Sequence, residues 1–318
     1  MPQVRDLLNE RPTNYINNPL YTSHTNKAWA ANYPPIETRY FRVHTIPDQD
    51  GGVSADFDSP LLPLYADEAK RMNEPAERPN VRAWRFETES DIENWWHTEI
   101  SSVALAGFAR YPQVIQTSHT KPLGTANVLE NVDSTYAVYM NDIRVAQVII
   151  EAKRNLIIAD EWQDGNLSGP QQRLAKELRG YADKYESTLV GCVDGSHYLQ
   201  LQFRAHQASD IRDADCLVDC WVFPIWQSRY AFYRMLVQGW RRCQGLAAPK
   251  LTVGSLTEYQ REYYTGRPVW KVPSHSGSSS KVIATHPEGY VRMVDAETGA
   301  LGWVHERVEG IIWETGGW

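Results

Sequence analysis

The chain has 318 residues, with 32 Lys+Arg against 39 Asp+Glu, a formal net charge of -7 and a pI near 5.7. Its 42% hydrophobic and 22% charged content is that of an ordinary globular protein, which excludes collagen-like, wholly disordered and disulfide-scaffold classes. No apolar run reaches the roughly 20 residues needed to span a bilayer, so no membrane partner is expected, and the acidic total gives no overall field favouring nucleic acid.

Ten of the 18 prolines fall within residues 1–80. Proline at that density opposes regular helix and central strand, so residues 1–84 read as an extended arm, wrapped on the core or partly disordered. An ordered core is expected over 85–246 and a β-rich extension over 247–318. Ser90 and Glu93 have the spacing of a capping box, and Ile92, Trp95, Trp96, Ile100 and Val103 recur at helical spacing. Residues 118–131 are polar and read as a loop. Two strands, 134–140 and 144–150, flank the turn signal Asn141-Asp142. Pro170 opens a helix over 171–185 with Leu174, Leu178 and Tyr181 as its buried stripe. Strands follow at 188–193, 198–205 and 216–225, then a helix over 226–243 that ends at Gly245. Residues 274–280 read as a linker, and short strands are expected at 282–285, 290–294, 302–305 and 311–313. The fold class is mixed α/β, a sheet flanked by helices.

The sharpest chemical signal is Val148-Ile149-Ile150-Glu151-Ala152-Lys153. An apolar strand ends in Glu-x-Lys, so both charges point to one side of the pleat, where they are costly unless something uses them. Asp133 stands at the start of the strand expected to pair with it. A clean two-residue loop at Asn141-Asp142 would set Asp133 opposite Ile150, on the wrong face. To join Asp133 to Glu151 the hairpin needs either a three-residue turn, 141–143, or a β-bulge.

The β-hairpin with Asp133…Glu151-x-Lys153, followed by a helix and further strands, resembles the PD-(D/E)XK nuclease superfamily, and within it the fungal nuclease-like domain proteins. The resemblance covers roughly residues 85–246 and implies a restriction-endonuclease-like core. It implies that Asp133 and Glu151 bind Mg²⁺ or Mn²⁺ and that Lys153 positions the attacking water. It further implies an acid from the first helix, Glu93 in preference to Glu99, and a tyrosine from the following helix, Tyr181, with Gln172 a weaker partner. Glu177 stands where the family has glutamine, and Val132 where it has proline. The physics agrees with these roles: Mg²⁺ takes one or two carboxylates plus waters and phosphate oxygens, and a nearby lysine is a compact cation for nucleophile or phosphate.

A nuclease needs a basic surface. Arg144, Lys153, Arg154, Arg173, Lys176, Arg179 and Lys184 cluster around the hairpin and its following helix, and Arg229, Arg234, Arg241 and Arg242 on the last core helix. They read as a nucleic-acid track or an ordinary solvated face. Trp95 and Trp96 read as core, whereas Trp162, in an acidic loop, is expected to rim the site. Cys216 and Cys220 lack zinc-finger spacing and read as buried thiols. The segment 289–305 looks like a small SH3-like fragment. Four cysteines and a charged start, Met1 to Glu10, favour a reduced intracellular compartment, cytoplasm or nucleus. Two functions are therefore carried forward: a metal-dependent nuclease with DNA preferred to RNA, or an inactive module of that fold binding nucleic acid or a protein. Homodimer formation is left open.

Overall fold

The computed structural model describes all residues except 14, 26, 111, 122–130, 141, 274–279 and 318. At its centre is a seven-stranded mixed sheet. In chain order its strands are β1 (Phe41–Val43), β2 (Ile115–Ser118), β3 (Ser134–Met140), β4 (Ile143–Ala152), β5 (Leu189–Val193), β6 (His197–Phe203) and β7 (Val218–Pro224). Their spatial order is β1-β7-β6-β5-β4-β3-β2. The β4–β5 and β1–β7 pairs are parallel, and the others antiparallel.

Helices cover both faces. Helix α1 (Glu89–Trp95) continues through a π-helical stretch, Trp96–Ser101, into Ser102–Ala106. Together with α3 (Ser228–Ala247) it buries Ile92, Trp95, Trp96, Phe232, Leu236 and Trp240 against Tyr136, Val148 and Ile150. On the other face α2 (Gly169–Lys184) presents Leu174, Leu178 and Tyr181 to Ile149, Val190, Leu199 and Leu201. The expected stripe of α2 is the observed one, and Pro170 sits in its first turn, where a missing N–H breaks no helical bond.

The cap of α1 differs from expectation. Thr88 rather than Ser90 is the N-cap: its Oγ1 accepts from Asp91 N at 3.2 Å, and Asp91 Oδ2 accepts from Thr88 N at 2.7 Å. Thr88-x-x-Asp91 is a capping box whose acid is one methylene shorter than in the Ser-x-x-Glu signature sought.

The proline-rich quarter is corrected in part. It holds short helices at Val4–Asn9 and Glu68–Asn73, each fitting between prolines, and it donates β1 to the edge of the sheet. Val4, Leu7, Phe57 and Leu61 join the main core, so the quarter is more than a wrapping. Tyr15–Asn17 pairs in parallel with Trp84–Phe86, across the expected boundary at residue 84. Beyond residue 247, Leu251, Val253, Trp270 and Trp303 form a separate small core, with a three-stranded sheet at Val291–Val294, Leu301–His305 and Val308–Trp313. The linker expected at 274–280 falls almost wholly outside the described residues. No described helix is long and apolar enough to cross a membrane.

Candidate metal and catalytic site

The hairpin answers the register question. Met140 pairs with Ile143, leaving a two-residue connection of which Asn141 lies outside the described residues. Further along, Ala137 pairs with Ala146 but Tyr136 with Val148, so Gln147 is an extra residue, a β-bulge. The register beyond it runs Ser134 to Ile150, which sets Asp133 opposite Glu151. Ala152 N donates to Asp133 Oδ2 at 2.6 Å, fixing that carboxylate across the strand pair.

A third strand extends the row. Ser118 of β2 pairs with Ser134, and His119 N donates to the Asp133 carbonyl at 3.1 Å, so His119, just past β2, and Asp133, just before β3, fall side by side with Glu151 of β4. His119 has φ of 51°, in the left-handed region. Its Nε2 lies 3.3 Å from Glu93 Oε2 and its Nδ1 3.8 Å from Asp133 Oδ1. One ligand atom from each of Glu93, His119 and Asp133 lies within 4.8 Å of the others. His97, one turn after Glu93, hydrogen-bonds through Nε2 to Ser134 Oγ at 2.6 Å.

On the α2 side Lys153 Nζ donates to Glu151 Oε1 and lies 3.2 Å from Glu177 Oε1. Tyr181 OH donates to Glu151 Oε1 at 3.4 Å. Glu151, Lys153, Glu177 and Tyr181 are all buried, and Glu151 Oε2 has no hydrogen-bond partner. Burial first, then the neighbouring Glu151 charge, pushes the Asp133 carboxyl up to about 8. Burial also raises Glu93 against the opposing pull of His119, and raises Glu177 to about 7 despite Lys153. Lys153 moves up as well: burial opposes its charge, but Glu151 and Glu177 outweigh that. This cluster holds more acid than its single lysine offsets, the electrostatic setting a divalent cation fits.

The structure thus brings together Asp133, Glu151, Lys153, Glu93 and Tyr181. Glu99 is elsewhere, buried against Arg229 at 3.2 Å. Gln172 is also elsewhere: its side chain hydrogen-bonds the backbone N–H and C=O of Ile36, anchoring the arm to α2. Glu177, beside Lys153, lies at the site. The sequence pattern gives no sign of His119, because 118–131 reads as loop; the β-branched pair in Ile115-Gln116-Thr117 is the available sign of a strand.

Two expectations about the surroundings are corrected. Trp162 does not rim the site; it is fully buried and its Nε1 donates to Gln171 Oε1 at 2.6 Å, because helix Ala159–Asp164 turns the ring inward. Most of the basic track is interior. Lys153, Arg154, Arg179, Arg229, Arg234, Arg241 and Arg242 are buried. Their partners are internal: Arg229 binds the Glu99, Leu7 and Glu10 carbonyls, Arg242 those of Tyr263 and Glu186, and Arg241 the carboxylate of Asp67. Arg144, Arg173, Lys176 and Lys184 remain at least partly exposed. Arg173 and Lys176 line a cavity of about 270 Å³ with Thr25, Lys27 and Glu177. All four cysteines are free and buried.

Compared with protein-family models, curated proteins and solved structures, the chain matches none.

Proposed function

We propose that the protein is a divalent-metal-dependent nuclease of the PD-(D/E)XK type, hydrolysing phosphodiester bonds in nucleic acid, with DNA preferred to RNA. The observation that carries this reading is the Gln147 bulge, which sets Asp133 opposite Glu151 two residues before Lys153. A hairpin with no use for that juxtaposition has no need of a buried acid beside a second acid.

The donor set fits a hard cation: carboxylates from Asp133, Glu151 and Glu93, with Glu151 Oε2 buried and unpartnered. When bound there, such an ion supplies an acidified water at neutral pH and offsets charge on the scissile phosphate. The protein's own groups do the rest. Ala152 N holds the Asp133 carboxylate, and Tyr181 OH holds Glu151. Lys153, kept protonated by Glu151 and Glu177, is a fixed donor for the attacking oxygen or a phosphate oxygen. Lys27, Arg173 and Lys176 beside Glu177 offer a short basic surface for the flanking backbone.

A second reading, a nuclease-like module without catalysis, is favoured by one observation: seven cations of the expected track are spent inside the protein. End-labelled single- and double-stranded DNA and RNA, incubated with purified protein in Mg²⁺, Mn²⁺ or Co²⁺, separate the two. Cleavage that Asp133→Asn abolishes supports the nuclease. Intact substrate in every ion, with binding retained, supports the module.

A further inference from the structure

The structure assigns to His119 a role as a nitrogen ligand in this site, and with it a preference for a transition ion of the Co²⁺, Fe²⁺ or Zn²⁺ kind over Mg²⁺ or Ca²⁺. The inference rests on the metal-binding part of the reading above and deepens it.

The placement of His119 is built by the sheet. It lies one residue beyond β2, opposite Asp133, with its backbone N–H on the Asp133 carbonyl. The ring stands between the two half-buried carboxylates, 3.3 Å from Glu93 and 3.8 Å from Asp133. Only one ring nitrogen can bind a given ion; with one ligand atom of each residue within 4.8 Å of the others, movements of about 1–2 Å bring them to the roughly 3 Å spacing of neighbouring donors around one centre. A second feature lies beside it: Glu151 Oε2, on the strand next to Asp133, is buried and lacks a hydrogen-bond partner, and the Glu151 charge bears on both Asp133 and Glu93. With one imidazole nitrogen on the ion, the other stays free to donate to a carboxylate, the usual arrangement that orients a ligating histidine.

An imidazole donor changes selectivity. Mg²⁺ and Ca²⁺ favour all-oxygen surroundings, whereas imidazole suits Fe, Ni, Cu and Zn, with Co²⁺ between Fe²⁺ and Ni²⁺ in the affinity order. Three carboxylates alone would serve Mg²⁺; three carboxylates and His119 favour the later ions.

Calorimetric titration of the intact protein with Co²⁺ and with Mg²⁺, for wild type, His119→Ala and His119→Asp, tests this. The His119 side chain is more than half exposed, so both variants are expected to fold, and aspartate tolerates its left-handed backbone. The expected result is a loss of about tenfold or more in Co²⁺ affinity in both variants, with Mg²⁺ affinity little changed in H119A and raised in H119D. Co²⁺-loaded wild type is also expected to show paramagnetically shifted imidazole proton resonances that H119A lacks. Co²⁺ binding unchanged in H119A, or shifted resonances that persist there, overturns the assignment and leaves the nuclease reading standing. Nitrogen ligation without cleavage of any nucleic acid upholds the assignment and removes the nuclease reading. No binding of either ion removes both.

Discussion

Gln147 and Gly239 are in contact at the point that decides the register of the hairpin. A Cβ added to Gly239, in the middle of α3, would lie 2.9 Å from Gln147 Cβ and 3.0 Å from its carbonyl oxygen. The same carbonyl accepts from Ser187 Oγ at 2.9 Å. The bulge is therefore held from two sides, by a bare stretch of helix and by a hydroxyl.

Gly239→Ala gains helix propensity yet crowds the bulge backbone, so a net destabilisation of about 1–3 kcal/mol is expected, read by urea unfolding. If the bulge gives way to a plain ladder, Asp133 returns to the face opposite Glu151. Co²⁺ binding should then fall although no ligand has been changed. A G239A protein as stable as wild type, binding Co²⁺ normally, would show that the helix does not hold the register.

Lys153 has a structural role whatever its chemistry. It is buried between Glu151 and Glu177, and removing it leaves two carboxylates without their cation. Lys153→Met is expected to cost about 3–5 kcal/mol of stability. Combining it with Glu177→Gln should restore part of that loss, because one of the stranded charges is gone. A double variant no more stable than Lys153→Met would argue that Glu177 does not share the lysine.

Gly180 shows how the proline-rich quarter docks on α2. An added Cβ would run into Trp29 Cζ3 and meet Tyr33 Cε2 at 2.8 Å, and Trp29 packs edge-on against Tyr181 with centroids 5.2 Å apart. Gly180→Ala should therefore displace residues 27–33 while leaving α2 helical. Limited proteolysis is the direct readout: new cleavage within that segment is expected, and an unchanged digestion pattern would show that the segment is not seated on Gly180.

In the C-terminal region Glu314 is buried between Arg292 at 2.6 Å and Arg261 at 2.6 Å. Burial alone would raise its carboxyl, but the Arg292 and Arg261 guanidinium groups outweigh it and hold it below the ordinary carboxylate value. A carboxyl depressed in the folded state stabilises fully above its unfolded value, about 4.3, and that contribution is lost as pH falls through the folded value. Thermal unfolding followed through Trp270 and Trp303 should show stability declining below about pH 4.3. Glu314→Gln should be less stable at pH 7 and lose that part of the acid dependence.

Much of the central architecture was legible because its periodicities are strong. Leu174, Leu178 and Tyr181 mark the buried face of α2, and the alternation from Tyr198 to Phe203 marks β6. The Glu151-x-Lys153 end of β4 stood out because charges rarely terminate an apolar strand. What was not legible depended on three dimensions. Whether the hairpin used a longer turn or a bulge turns on Gln147 packing against Gly239, ninety-two residues away in sequence. The basic residues of α3 looked like a surface because guanidinium groups are usually exposed. Here Arg241 is buried with Asp67, which also binds Arg71 at 2.8 Å, a pairing no local pattern announces. His119 was hidden by a strand of only four residues whose polarity resembles a loop.

The central claim, that Asp133 and Glu151 form one cation site, is tested most directly by anomalous diffraction from crystals soaked in Co²⁺. An anomalous peak is expected within about 2.0–2.3 Å of a carboxylate oxygen of each, beside His119 and Glu93. A peak elsewhere only, or density beside Asp133 and Glu151 that carries no anomalous signal, would contradict it.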